Sequence, residues 1–377
     1  MVKANAWVEI SRSALIHNIR QFKKIIGPRV RLLVAVKANA YGHGLVLISG
    51  LVEKNGVDFL GVNSLEEAEI LRKNKVKLPL LILGYVRLNE LQRLQKLSNV
   101  SLTVYNKETI RRLGLLNKTV KVHLKLETGT ARQGILPENL LDFVRYIRRR
   151  QNLVIEGLYT HYANIEDTLN HDFAFKQLSL FKQSAKLLSD HHIHIPLLHT
   201  ACSAAAILYQ QTYFDMVRSG ISVYGLWSSN ETKLVAARQR KSLTLKPVLS
   251  WKTVVAQIKP VKKGQPVGYG CSERVYRDSQ IAVIPVGYWD GFDRGMGSLG
   301  NVIVRGQRAK IIGRICMNMF MADVTDIAGV EIEDEVVLIG QQGREEITAN
   351  EFAQKLQTIN YEVVTRINPC LPRVAVK

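Results

Sequence analysis

Eight short apolar runs, separated by amphipathic stretches, fill the chain from Arg31 to Tyr224. They are Arg31–Lys37, Asp58–Ser64, Leu78–Gly84, Val100–Asn106, Val120–Thr128, Val154–His161, Leu197–Ser203 and Phe214–Tyr224. Most are continuous rather than alternating, as in parallel strands buried on both faces. Eight such strands with intervening helices predict an α/β fold, a (β/α)8 TIM-like barrel over residues 11–232. A doubly wound open sheet is the alternative, because strand count alone does not decide closure.

Between the runs, Ser64 with Glu67 three residues on has the form of a capping box ahead of Ala68, Ile70 and Leu71. Asn106 stands before Ile110, Leu113 and Leu116, and Glu138–Arg150 and Phe173–Ser189 keep a helical period. The texture changes across Ser228–Lys246. Short strands broken by glycine turns follow at Ser250–Ile258, Gln280–Val286, Asn301–Arg305 and Val336–Ile339, with one clear helix at Thr348–Leu356. A mostly β C-terminal domain over residues 240–377 is expected, with residues 1–10 joining it through the Ala6–Ile10 run.

The chain has 377 residues, 46% of them hydrophobic, which excludes disorder and leaves room for two domains. Its 52 Lys+Arg against 32 Asp+Glu give a formal charge of +20. The basic residues cluster only modestly, at Arg145–Arg150 and Arg238–Lys241, so solvated faces rather than a nucleic-acid groove are expected. Cys202, Cys271, Cys316 and Cys370 are widely spaced, neither a disulfide framework nor a zinc site, and point to a reducing compartment. With no apolar leader and no run long enough for a membrane span, a cytoplasmic protein with no membrane association and no metal is expected.

A barrel carries its chemistry at the C-terminal ends of its strands. Here those ends hold Lys37, Gly84, Thr128 to Arg132, His161, Ser203 and Arg218 to Ile221, a polar and basic collection. Lys37 closes an apolar strand and is followed by small residues and glycines. Burial lowers a lysine's pKa and makes the amine a nucleophile, while the glycines let a ligand approach the backbone.

Val36-Lys37-Ala38-Asn39-Ala40-Tyr41-Gly42-His43-Gly44 resembles the pyridoxal-phosphate attachment motif of the alanine racemase family. Six further segments match in order. Lys125–Arg132, Gly157–His161 and Met216–Ile221 resemble the family's barrel strand ends. Val267–Gly270, Pro285–Tyr288 and Gly313–Asn318 resemble its β domain.

The resemblance implies a pyridoxal 5'-phosphate enzyme interconverting L- and D-alanine, which supplies D-alanine for peptidoglycan. Lys37 would hold the cofactor through its amine. Tyr41, Ser203 and the backbone amides near Gly220 and Ile221 would take its phosphate, and His161 would lie in the same network. Arg218 would face the pyridine nitrogen; being permanently protonated it cannot accept that nitrogen's proton, which leaves the cofactor a weaker electron sink. Racemisation needs acid–base groups on both faces of the α-carbon. Lys37 would serve one face and Tyr269, from the β domain of a second subunit, the other, so a homodimer with shared active sites is implied. Arg132 and a backbone contact from Met317 would bind the substrate. Lys125 resembles a position carbamylated in many members, where it orients the arginine.

Three departures stand out. Asn318 replaces a common Asp, no tyrosine occurs in Arg366–Arg373 where many members carry one, and bulky Trp289 replaces a small residue. They bear on the entrance and on side-chain selectivity. A broader racemase acting on serine or lysine, or a non-catalytic pyridoxal-phosphate carrier, are the alternatives.

Overall fold

The computed structural model describes residues 4–239 and 243–377. The expected domain start at residue 240, and Arg240 and Lys241 of one basic run, lie outside the described residues. The chain divides into two units. One comprises Ala14–Ala40 and Ile48–Lys246; the other comprises the residues up to Ser13, Tyr41–Leu47 and Pro247–Lys377. Strand β1 (Ala6–Ser11) belongs to the latter.

In the first unit β2 (Arg31–Ala35), β3 (Phe59–Val62), β4 (Leu80–Ile82), β5 (Val100–Val104), β6 (Val120–Lys125), β7 (Leu153–Tyr159), β8 (Leu197–His199) and β9 (Met216–Ser219) form one parallel sheet. Each strand from β2 to β7 pairs with the next, and β2 pairs with β9. Backbone hydrogen bonds from Asp215 N to Leu198 O and from Arg218 N to Ala201 O, both 3.0 Å, join the β9 and β8 sides. The ring therefore closes into a barrel, and the open-sheet alternative falls away. Leu33, Phe59, Leu81, Leu197 and Met216 pack in one cluster inside this unit. Each such side chain contributes about 1.5–3 kcal/mol by leaving water.

Helix Leu65–Lys73 starts where Ser64 Oγ accepts from Glu67 N. The reciprocal half of the expected capping box is redirected. Glu67 Oε2 accepts from Asn63 N at 2.6 Å and Oε1 from Ala38 N at 2.8 Å, so the carboxylate ties the helix to the segment after Lys37. Asn106 caps Lys107–Leu113 by accepting from Thr109 N at 2.8 Å.

The second unit continues with β10 (Leu249–Val254), β11 (Gln257–Val261), β12 (Pro266–Val267), β13 (Glu273–Arg274), β14 (Ser279–Ile284), β15 (Asn301–Val304), β16 (Gln307–Ile312), β17 (Phe320–Asp323), β18 (Glu335–Gln342), β19 (Glu345–Ile347) and β20 (Arg373–Val376). Its main sheet runs β11-β14-β17-β16-β15-β18-β10-β1-β20, with β1 antiparallel to β10 and parallel to β20. Phe292 centres the core, stacked on Phe320 at 4.7 Å and edge-on to Phe352 at 5.4 Å, with Trp251 at 5.8 Å. Among the described residues, no helix is long and apolar enough to cross a membrane.

Candidate active site

The backbone immediately after Lys37 is left-handed. Ala38, Asn39, Ala40 and Tyr41 have φ of 54°, 55°, 54° and 53°. Such a turn costs L-residues about 1–2 kcal/mol each, so its surroundings must hold it. Ala40 N donates to Val36 O at 2.8 Å, and Ala38 N donates to Glu67. Gly42 continues at φ 81°, and a Cβ there would meet Val364 O at 1.9 Å, so that position requires glycine. The small residues let the chain reverse directly beyond Lys37.

Lys37 is half-buried. Burial first, then the Arg132 guanidinium, lower its pKa, and Glu67 opposes them. Lys125 ends β6 and is 4% exposed. Burial, Arg218 and Arg132 bring its pKa down to about 7. Arg132 is exposed on a loop shaped by Glu127, whose carboxylate accepts from the amides of Gly129 (2.6 Å), Thr130 (2.6 Å) and Arg132 (3.2 Å). Burial raises the Glu127 pKa, but those hydrogen bonds together bring it below the usual carboxylate range.

Arg218, on β9, is 7% exposed and binds carbonyls with both terminal nitrogens. Nη2 donates to Thr160 O (2.7 Å), Thr200 O (3.0 Å) and His161 Nδ1 (3.4 Å), and Nη1 to His199 O (3.0 Å) and His199 Nδ1 (2.8 Å). Burial and the surrounding cations, Arg218 foremost, push the His161 pKa well down, so this ring is neutral at neutral pH. Ser203 opens the short helix Ser203–Leu208; its Oγ accepts from Gly220 N at 3.0 Å and lies 3.2 Å from Ser219 Oγ. Ile221 follows, fully buried. The barrel unit thus holds Lys37, Lys125, Arg132, His161, Ser203, Arg218, Gly220 and Ile221 at the C-terminal ends of its strands or in the loops that follow.

The other three predicted residues, Tyr41, Tyr269 and Met317, fall in the second unit. Tyr269 is 72% exposed in a turn whose neighbours Gly268 and Gly270 both have positive φ, and Met317 is 56% exposed. Met317 O accepts from Trp289 N at 3.0 Å, so the exposed Trp289 is braced against the Met317 segment. Asn318 is exposed, and Asn368 Nδ2 donates to Trp289 O at 3.0 Å beside the tyrosine-less Pro369.

Sequence reasoning missed the residues beneath Arg218 and Lys125. Tyr159 stacks on His199 at 4.8 Å with 7° between planes and donates to or accepts from Thr103 Oγ1 at 3.0 Å. His123 and Glu156 continue from His199. The available signal was polar or aromatic residues two positions ahead of a flagged strand end, His123 before Lys125 and Tyr159 before His161, because strand side chains repeat every second residue.

Two family models cover the chain: "Alanine racemase, N-terminal domain" matches residues 10–228 and "Alanine racemase, C-terminal domain" residues 248–375. The chain belongs to the alanine racemase family. A relative named alanine racemase from Leptospira interrogans is 38% identical over 99% of this chain and 96% of its own. The crystal structure of an alanine racemase from Bacillus anthracis with bound L-Ala-P superposes with a TM-score of 0.93 at 33% identity, covering 100% of this chain and 96% of that one. A histidine racemase from Leuconostoc mesenteroides also aligns, with a TM-score of 0.89 at 28% identity over 100% of this chain and 99% of its own. Membership of the alanine racemase family thus rests on sequence and on fold together.

Proposed function

We propose that this chain is a pyridoxal 5'-phosphate-dependent alanine racemase, an isomerase that supplies D-alanine for peptidoglycan. The observation carrying the reading is Lys37, an amine of lowered pKa after a barrel strand, in the same unit as a hydroxyl–amide pair and a buried guanidinium. That set fits the cofactor. Lys37 would hold it through its amine, Ser203 with the amides of Gly220 and Ile221 would take the phosphate, and Arg218 with His161 would meet the ring. Pyridoxal 5'-phosphate supplies the electron-withdrawing system that acidifies the α-proton of a bound amino acid.

The residues of the chain do the rest. Lys37 Nζ, its pKa lowered, moves a proton at one face of the α-carbon. The hydroxyl of Tyr269 of the partner subunit serves the opposite face, and the backbone at Met317 of the partner subunit contacts the substrate. The exposure of both residues in a single chain accords with such sharing. Arg132 binds the substrate carboxylate, and Lys125, as a carbamate, orients it. Two shared sites make a homodimer. Four free thiols accord with a cytoplasmic location.

Chiral chromatography of L-alanine, L-serine, L-lysine and L-histidine after incubation with the cofactor-loaded protein tests the reading. L-alanine is expected to racemise fastest. Faster turnover of another amino acid overturns the substrate, and no racemisation of any overturns the activity. Borohydride treatment should leave the pyridoxyl label on Lys37.

A further inference from the structure

Four side chains run in line through the barrel interior from Arg218. Arg218 Nη1 meets His199 Nδ1 at 2.8 Å, His199 Nε2 meets His123 Nδ1 at 2.9 Å, and His123 Nε2 meets Glu156 Oε2 at 3.1 Å. Glu156 is anchored in turn by Ser101 Oγ at 2.5 Å on Oε2 and by Lys121 Nζ at 2.6 Å on Oε1. Both histidines are 0% exposed, while the Lys121 side chain is 47% exposed.

The proton positions along this line follow from its two ends: a guanidinium only donates, and the Glu156 carboxylate only accepts. His199 Nδ1 must therefore be bare. A neutral His199 then carries its proton on Nε2 and donates to His123 Nδ1, which leaves the His123 proton on Nε2, directed at Glu156. The line is satisfied end to end only if a carboxylate, or another acceptor, stands at its far end. Burial lowers the pKa of both imidazoles, consistent with neutral rings, and at Glu156 the hydrogen bonds from His123, Lys121 and Ser101 outweigh burial and hold the pKa near 2.

The backbone is shaped to admit the line. A Cβ on Gly157 would lie 2.3 Å from His123 Nδ1, so any side chain there evicts the ring. The β6–β7 register shifts between Val122 and His123, where β7 carries the extra residue Glu156, and the shift sets Gly157 opposite His123.

We propose that Glu156 is a positioning residue for Arg218, acting through His123 and His199. It sets both tautomers so that a lone pair faces the guanidinium, and it supplies the one carboxylate at the far end of the chain of hydrogen bonds that starts at Arg218. The consequence for turnover rests on the reading that Arg218 meets the cofactor ring; the tautomers do not.

The test is 15N NMR of histidine-labelled protein without cofactor, with kinetics of the loaded protein alongside. Both histidines are expected with bare Nδ1 and protonated Nε2, unchanged between about pH 5 and 9, where a free histidine would titrate. A protonated imidazolium or an Nδ1–H form at either ring overturns the proposal. Glu156→Gln, whose amide oxygen still accepts, should keep both tautomers. Glu156→Leu should lose them, with kcat down about tenfold and KM within about twofold, the pattern of a misplaced group rather than lost binding. Unchanged tautomers and kcat in Glu156→Leu overturn it. Should that variant fail to fold, wild type and Glu156→Gln decide alone, a His199 Nδ1–H form in Glu156→Gln with normal turnover counting against it. Correct tautomers without racemisation would sink the activity and leave the proton arrangement standing.

Discussion

Lys125 Nζ lies 4.9 Å from the centre of the Tyr159 ring, and the Arg218 guanidinium lies 5.0 Å from the same ring. The ring attracts both cations, yet burial and Arg218 still bring the Lys125 pKa down to about 7. Burial meanwhile pushes the Tyr159 hydroxyl up to about 12, so the ring stays neutral beneath them.

That lysine should leave a mark on stability against pH. Folded, Lys125 releases its proton near pH 7; unfolded, it holds the proton up to its ordinary value of 10.5. Between those values the unfolded state binds more protons, so this group's contribution rises with pH, its penalty being full below about 7. Urea titrations of wild type and Lys125→Met in carbon-dioxide-free buffer should differ in slope across this window. Parallel curves would contradict the shift.

A neutral amine at pH 7 can also add carbon dioxide. With 13C-bicarbonate, wild type should show a carbamate carbonyl resonance that Lys125→Ala lacks, and turnover should fall when carbon dioxide is stripped. An intact lysine with no such signal would remove the orienting role proposed for Lys125.

Tyr269→Phe should lower kcat about 10²-fold or more, the scale of a lost general acid–base group. Its folding stability should stay near wild type, because Tyr269 is 72% exposed. Lys37→Ala should be inactive by itself. Mixing the two variants and letting subunits exchange should restore about a quarter of wild-type activity, since half the dimers are mixed and each holds one intact shared site. No recovery would mean the sites are not shared.

Glu67→Ala removes the acceptor of both Ala38 N and Asn63 N. The left-handed turn after Lys37 should loosen, with stability down by about 1 kcal/mol per lost bond and the cofactor released faster on dialysis. Cofactor retention equal to wild type would show that the turn holds without Glu67.

Much of this protein is readable in order along the chain. Continuous apolar runs announce buried parallel strands, Ser64 and Asn106 mark helix starts, and Lys37 stands out because a lysine rarely follows so apolar a run, although β2 itself ends at Ala35. Helix Asn360–Arg366 escaped notice, as its N-cap Ile359 offers no side-chain cap, and β20 is too short to declare itself before pairing with β1.

Local pattern settles which segments become strands and helices, because periodicity and capping act within a few residues. Tertiary structure decides the rest. Ring closure depends on bonds between β8 and β9 that no local pattern encodes. The redirection of Glu67 toward Ala38 joins residues 29 apart, and the line from Arg218 to Glu156 exists only once β9, β8, β6 and β7 stand side by side. Proton positions and pKa values belong to that second level, since burial and neighbouring charge are properties of the folded barrel and not of any one segment.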